Sequence, residues 1–137
     1  MAPPPQITIV IENTLPVIHG NQIRIMQVFQ NLISNAIKYM DKHQGLITIT
    51  GEDQEKCWLF RIADNGPGIE ECHYKRIFKI FHTLQPRDQV ESTGIGLTLV
   101  KKIIETHGGT IWVESKIGEG STFYFTLPKI DRKNVTV

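Results

Sequence analysis

The sequence predicts an α+β fold, a two-layer α/β sandwich whose mixed, mostly antiparallel sheet carries its helices on one face. Residues 46–64 and 110–127 each read as two adjacent strands joined by a short turn. Helical periodicity falls between these pairs and does not follow every strand, which disfavours a doubly wound sheet of βαβ units. At 137 residues the chain matches one domain, long enough to bury a single core without disulfide or metal staples.

Each element follows from local chemistry. The prolines of MAPPP make residues 1–5 a stiff lead-in, read as a linker remnant. Residues 6–12, QITIVIE, alternate around β-branched side chains and predict a strand. A helix is expected from about Gln22 to Met40, with Asn21 as its N-cap. Strands at Leu46–Glu52 and Cys57–Asp64 come next, joined by a polar turn, and then a charge-rich helix over about Glu71–Phe81. Residues 82–92 are polar, contain a proline and show no period, so they read as a loop. A last helix spans Gly96 to about Thr106, stopped by His107-Gly108-Gly109. Two strands around KIGEG close a domain that runs from 6 to 128, and 129–137 form a polar tail or onward linker.

Composition excludes several classes. A net charge of +1 with 21% charged residues disfavours a broad basic surface, so no nucleic-acid partner is expected. No apolar run approaches the roughly 18 residues of a membrane span, and no signal-peptide pattern opens the chain. The domain is therefore expected to be cytoplasmic and not embedded in a membrane. Cys57 and Cys72 lack metal-ligand spacing, because Cys-x14-Cys without companion ligands is not a zinc pattern.

Chemistry concentrates in four segments. On a helical wheel started at Gln27, Asn31, Asn35 and Lys38 fall at about 40°, 80° and 20°, while Ile25, Phe29, Leu32, Ile33, Ala36 and Met40 fall between about 140° and 240°. One face serves the core and the opposite one carries amides and an ammonium. That stripe is either a solvated face, for which Lys, Glu or Arg would be better helix formers, or a set of amide oxygens for a hard cation beside an ammonium for phosphate. In ADNGPGI, residues 63–69, Asp64 ends a strand while Gly66 and Gly68 flank Pro67. This is an ordinary turn, or a carboxylate placed where glycines let a ligand approach. Such a carboxylate accepts from an exocyclic amine and repels phosphate, so it suits a base pocket. Thr93-Gly94-Ile95-Gly96 leads into a helix whose Leu97, Val100, Ile103 and Ile104 face the core, and free N–H groups at such a start suit an anion. It lacks the third glycine of a dinucleotide fingerprint and the Lys-Ser/Thr pair of a Walker loop. In YKRIFKIF, residues 74–81, Ile77, Phe78, Ile80 and Phe81 form an apolar side, and Arg76 or Lys79 could reach a phosphate.

Taken in order, Asn-x3-Asn-Ala-x-Lys-Tyr, Asp-x-Gly-x-Gly, the Phe-rich segment, the polar loop and Gly-x-Gly resemble the N, G1, F and G2 boxes of the ATP-binding catalytic domain of sensor histidine kinases. These belong to the wider gyrase, heat-shock chaperone, histidine kinase and MutL superfamily. The resemblance covers about Ile7 to Pro128, and IFKIFHTLQPRDQVESTGIGL is most similar to phytochrome-type and related bacterial sensor kinases. It implies a Bergerat-type ATP-binding fold, with ATP and Mg²⁺ as cofactors. Under it, Asn35 would ligate Mg²⁺, with Asn31 supporting metal or phosphate. Lys38 would contact phosphate, Tyr39 would flank the base, and Asp64 would receive adenine N6, with Gly66, Gly68 and Ile69 shaping the pocket. Residues 82–93 would form a lid, and Gly94, Gly96 and the Leu97 amide would hold phosphates. Phe81, Thr93 and Ile95 join the nucleotide-contacting positions, and Thr122 would back the adenine through its hydroxyl. Arg76, reaching the γ-phosphate, and Asn31 are the catalytic candidates.

Two departures stand out. Ser92 precedes Thr93-Gly94 where Gly-Thr-Gly is common, and none of His19, His43, His73, His82 and His107 sits in a phosphoacceptor context. The resemblance thus implies a catalytic fragment, monomeric by itself, that phosphorylates a histidine on a separate dimerisation domain, from which a response regulator would take the phosphoryl group. The alternatives are a non-catalytic nucleotide-binding signalling module, an ATPase of the same superfamily and a dinucleotide-binding redox domain. The ATPase branch needs a Glu where this chain has Asn31, and the redox domain needs a strand before Gly94.

Overall fold

The computed structural model describes residues 6–12, 21–78 and 94–129. Among these residues the architecture is the α+β sandwich expected, with a five-stranded sheet and the two described α-helices on one face. The strands are β1 (Gln6–Ile11), β2 (Gln44–Asp53), β3 (Cys57–Asp64), β4 (Ile111–Lys116) and β5 (Gly120–Pro128), in the order β1-β2-β3-β5-β4. Only β1 and β2 are parallel, because α1 (Gln22–Lys38) lies between them in the chain; the other pairs are antiparallel. Helix α2 spans Gly94–Thr106.

Alternation along the strands sets the core. Ile47 and Ile49, Phe60 and Ile62, Val113, and Phe123, Phe125 and Leu127 all point to the helix-covered face, where they meet Val28 and Leu32 of α1 and Val100, Ile103 and Ile104 of α2. Paired residues in antiparallel strands share a face, so Ile62 opposite Phe123 and Phe60 opposite Phe125 build one apolar layer. Phe60 and Phe125 stack at 5.0 Å, and Phe29 meets both edge-on at 5.7 and 5.4 Å.

Helix α1 begins as expected, with Asn21 Oδ1 accepting from the Arg24 N–H at 3.2 Å. Its buried face is rotated from the one read in sequence. Val28 is fully buried, while Phe29 and Ile33 are half-buried and Met26 and Ile37 are exposed. Asn31 and Asn35 are consequently half-buried flanks of the core and do not lie on the side opposite to it.

The helix expected over Glu71–Phe81 is corrected. Its described part consists of two 3₁₀ turns, Glu71–His73 and Arg76–Phe78. A tertiary anchor between them supplies the reason: the Tyr74 hydroxyl accepts from the Ser115 N–H and donates to the Ser115 carbonyl, both at 2.8 Å. Fastened there, the segment follows β4 and not a helical axis of its own. Ile77 is buried in the core, and Phe78 meets Phe123 edge-on at 6.1 Å.

Phe125→Ala removes the ring shared by the aromatic group and should lower unfolding free energy by about 3–5 kcal/mol. Trp112→Ala, on the open face of the sheet, should cost less; urea midpoints for both variants decide this.

Candidate functional site

The polar edge of α1 and the start of α2 are neighbours because the two helices pack antiparallel. At one end of the pair, the Asn21 N–H donates to His107 Nε2 at 3.4 Å, while His107 Nδ1 donates to the Ile103 carbonyl at 2.8 Å. The full length of α2, 13 residues, separates that contact from Gly94. An equal run along α1 ends at about Ser34, between Asn31 and Asn35. Gly94, Ile95 and Gly96 are the first three residues of α2, whose N–H groups have no acceptor within the helix. Leu97 is the fourth, and its side chain is buried in the core.

Asn31 carries a defined orientation. Its Nδ2 donates to the Gln27 carbonyl at 2.7 Å, so Oδ1 is the atom left to accept or ligate. Asn35 sits one turn on, half-buried, and Lys38 is exposed in the last turn, its Nζ 5.8 Å from the Tyr39 ring centre. Tyr39 closes the helix with its N–H on the Asn35 carbonyl at 3.2 Å. A side chain on Gly66 would stand 3.8 Å from the Tyr39 carbonyl, and Lys42 Nζ donates to the Gly66 carbonyl at 3.5 Å. The end of α1 therefore sits directly on the loop that follows Asp64.

Asp64 occupies the last inward position of β3, in line with Phe60 and Ile62 but beyond the helices. Its Oδ1 accepts from the Gly66 N–H at 2.8 Å and from the Ser121 N–H at 3.3 Å. Those bonds fix the carboxylate and leave Oδ2 without another acceptor role among the described residues. Burial pushes the Asp64 carboxyl up from its usual range; the two N–H bonds act in the opposite direction, and Asp41 adds a further upward push. Gly68 is in the left-handed region at φ 82°, and a Cβ there would collide with the Lys116 carbonyl. The turn between β4 and β5 presses on it, with the Gly118 N–H donating to the Pro67 carbonyl at 2.8 Å.

Ser115 and Ser121 escaped the sequence reading. Ser115 Oγ donates to the Gly120 carbonyl at 2.8 Å, accepts from the Ile69 N–H at 2.7 Å and meets Ser121 Oγ at 2.9 Å, which uses its full bonding capacity. Ile69, Gly120 and Ser121 are tied to this one hydroxyl, Tyr74 is bonded to the backbone of the same residue, and the Ser121 N–H carries the chain of contacts on to Asp64. Strand parity was the available signal, since Ser115 lies in line with Ile111 and Val113, and Ser121 with Phe123 and Phe125. The same parity turns Thr122 away: it pairs with Ala63 and lies on the opposite face from Asp64. The expectation that its hydroxyl backs the Asp64 pocket is corrected accordingly, and Ser121 is the residue there. Asn65, also unassigned, bonds Leu46 and Gln44 and holds the start of β2.

The sites thus brought together are Asn31, Asn35 and Lys38 with the start of α2, and Tyr39, Asp64, Gly66, Gly68 and Ile69 around one loop. Arg76 is exposed on the second 3₁₀ turn, which the Thr98 hydroxyl ties to α2 through the Phe78 carbonyl at 2.8 Å. Phe81, Thr93 and the proposed lid, 82–93, lie outside the described residues. No helix among the described residues is long and apolar enough to cross a membrane.

The described residues thus form a mixed sheet backed by two antiparallel helices, with a carboxylate fixed at the end of its central strand and a glycine-containing start to the second helix. Residues 20–131 match the family described as histidine kinase-, DNA gyrase B-, and HSP90-like ATPase, and the chain belongs to it. The family supports ATP binding and a kinase catalytic role in general. The chain is 50% identical over 115 residues to the phytochrome-like protein Cph1 of Synechocystis sp., an alignment covering 84% of this chain and 15% of that protein. It thus spans a minor part of such a relative. Full-length ShkA, solved in complex with AMPPNP, aligns at TM-score 0.74 and 27% identity over 90% of this chain and 25% of that one. Histidine kinase ThkA, solved in complex with the response regulator protein TrrA, aligns at TM-score 0.72 and 33% identity over 90% and 34%.

Ser115→Ala strands the Ile69 N–H and the Gly120 carbonyl, and should cost about 1–3 kcal/mol in chemical denaturation. Asp64→Asn retains an acceptor for both N–H groups while removing the desolvated charge. A carboxyl raised in the folded state destabilises above its folded pKa and has no such effect below its unfolded pKa. Asp64→Asn should therefore melt higher than wild type at pH 7 without nucleotide, and the gap should close as pH falls below the ordinary aspartate range. A lower melting temperature for the variant at pH 7 would contradict this.

Proposed function

We propose that this domain binds Mg-ATP along the groove formed by α1, the Asp64–Ile69 loop and the start of α2, and donates its γ-phosphoryl group to a histidine on a separate dimerisation domain. The carrying observation is the fixed Asp64 carboxylate, with Oδ1 engaged by two N–H groups and Oδ2 open to the exocyclic amine of adenine. The amide stripe of α1 and the N–H groups of Gly94, Ile95 and Gly96 then fall at the phosphate end.

The residues fit a hard cation. Asn31 presents its oxygen because its nitrogen is engaged, and Asn35 offers a second carboxamide on the same edge. Asn35 would hold Mg²⁺ with support from Asn31; when bound, the ion neutralises phosphate charge. Lys38 and Arg76 add positive charge, and Tyr39 flanks the base. Phe81 and Thr93 are assigned to the nucleotide-contacting positions and 82–93 to a lid on the resemblance alone, since they lie outside the described residues.

In the transfer itself, an unprotonated imidazole nitrogen of the acceptor forms the N–P bond. The bond from the γ-phosphorus to its bridging oxygen breaks, and ADP leaves with that electron pair. The domain supplies position and charge, not a base. Asn31 cannot take a proton from water at neutral pH, so hydrolysis by this domain alone should be slow. A response regulator would accept the phosphoryl group from the histidine, in keeping with the partner of ThkA.

Calorimetric titration with ADP, with and without Mg²⁺, tests the assignment. Asn35→Ala should lose chiefly the Mg²⁺-dependent part of the affinity. Asp64→Ala should weaken binding in both conditions, on the order of 10- to 100-fold, the scale of a hydrogen bond to a charged group. Equal affinities in all three proteins would overturn the site. Phosphohistidine formed with a cognate dimerisation domain separates a kinase from a binding-only module.

A further inference from the structure

The first 3₁₀ turn, residues 70–73, reads Glu-Glu-Cys-His and lies outside every role given above. The His73 N–H donates to the Glu70 carbonyl at 2.9 Å, closing a turn that stacks residue 73 over residue 70. Cys72 Sγ lies 3.6 Å and His73 Nε2 4.0 Å from the same Glu70 oxygen, Oε2. All three atoms fall within 4.8 Å of one another. We propose that Glu70, Cys72 and His73 form a binding site for a thiophilic divalent cation, of which Zn²⁺ is the best fit.

Geometry and ligand chemistry both support this. Tetrahedral Zn²⁺ with bonds of about 2.3 Å to sulfur and about 2.0–2.2 Å to nitrogen and oxygen sets its ligand atoms about 3.4–3.6 Å apart. The sulfur–oxygen pair already has that spacing; the imidazole nitrogen lies 4.0 Å from the same oxygen and within 4.8 Å of the sulfur, so it is the ligand that must close on the ion. A thiolate, an imidazole and a carboxylate suit Zn²⁺, whereas Mg²⁺ keeps to oxygen ligands. Binding releases the thiol proton to solvent, and the fourth position is left to water. The turn is also held at both ends, since the Ile69 N–H and the Tyr74 hydroxyl are each bonded to Ser115. Little chain entropy remains to be lost on ligation. The companions that Cys72 lacked in the Cys-x14-Cys reading are its immediate neighbours, not the distant Cys57.

Calorimetry with Zn²⁺ on the metal-free domain, and absorption spectra with Co²⁺ as a surrogate, test the site. One ion per chain is expected, unaffected by excess Mg²⁺, with a sulfur-to-cobalt charge-transfer band. Cys72→Ser and His73→Gln should each weaken binding on the order of tenfold or more, whereas Cys57→Ser should leave it unchanged. Cys72 is exposed, so its substitution leaves the core intact. Absence of a stoichiometric ion, survival of the affinity in both variants, or its loss in Cys57→Ser overturns the proposal. A Co²⁺ complex of the wild type with no sulfur band does so without recourse to any variant.

Discussion

The inward stripe of β3 imposes the constraint on which the rest depends. Phe60 and Ile62 draw the helices onto the sheet, and the next inward position, just past their cover, is Asp64. The register that stacks Phe60 on Phe125 also sets Asp64 opposite Ser121, whose N–H bonds the carboxylate. Apolar packing and orientation of a polar group are thus consequences of one strand pairing. A slip of one residue would expose the aromatic layer and turn the carboxylate to the other face.

Holding a partly desolvated charge works against stability, and the structure offsets it only in part. Two N–H groups engage one oxygen, and the Ser115 network steadies the neighbouring loop, yet the carboxyl is still raised by its burial. Under the proposed function, this cost is retained so that the second oxygen stays available to a base. Asn31 is held in a related way: its amide nitrogen is engaged by its own helix, which leaves Oδ1 as the atom able to accept or ligate.

Much of this was legible in the sequence, with losses of a specific kind. Cys57–Asp64 was read to the residue, because β-branched and aromatic side chains run between a polar turn and Asp-Asn-Gly. The cap at Asn21 and the four ordered boxes were legible for the same local reason. The segment after Ile69 departs from its helical period, because a pattern of Ile and Phe carries no sign of a tyrosine hydroxyl fixed to a strand 41 residues away. The resemblance points to Thr122, whereas strand parity puts Ser121 on the face of Asp64. The buried face of α1 is centred nearer Val28 than a wheel drawn for one helix places it, because such a wheel contains no neighbour.

Strand β1 has a different standing from the other four. It touches the sheet through β2 alone, and of its side chains only Ile7 packs against the core; Ile9 and Ile11 remain 47% and 56% exposed. Its hydrogen bonds can therefore open as a unit while the aromatic layer and both helices stay folded. In amide exchange such a strand is a separate cooperative segment, reporting a local opening free energy far below that of the core. The domain can yield along this margin while the strands and helices around Asp64 stay in place.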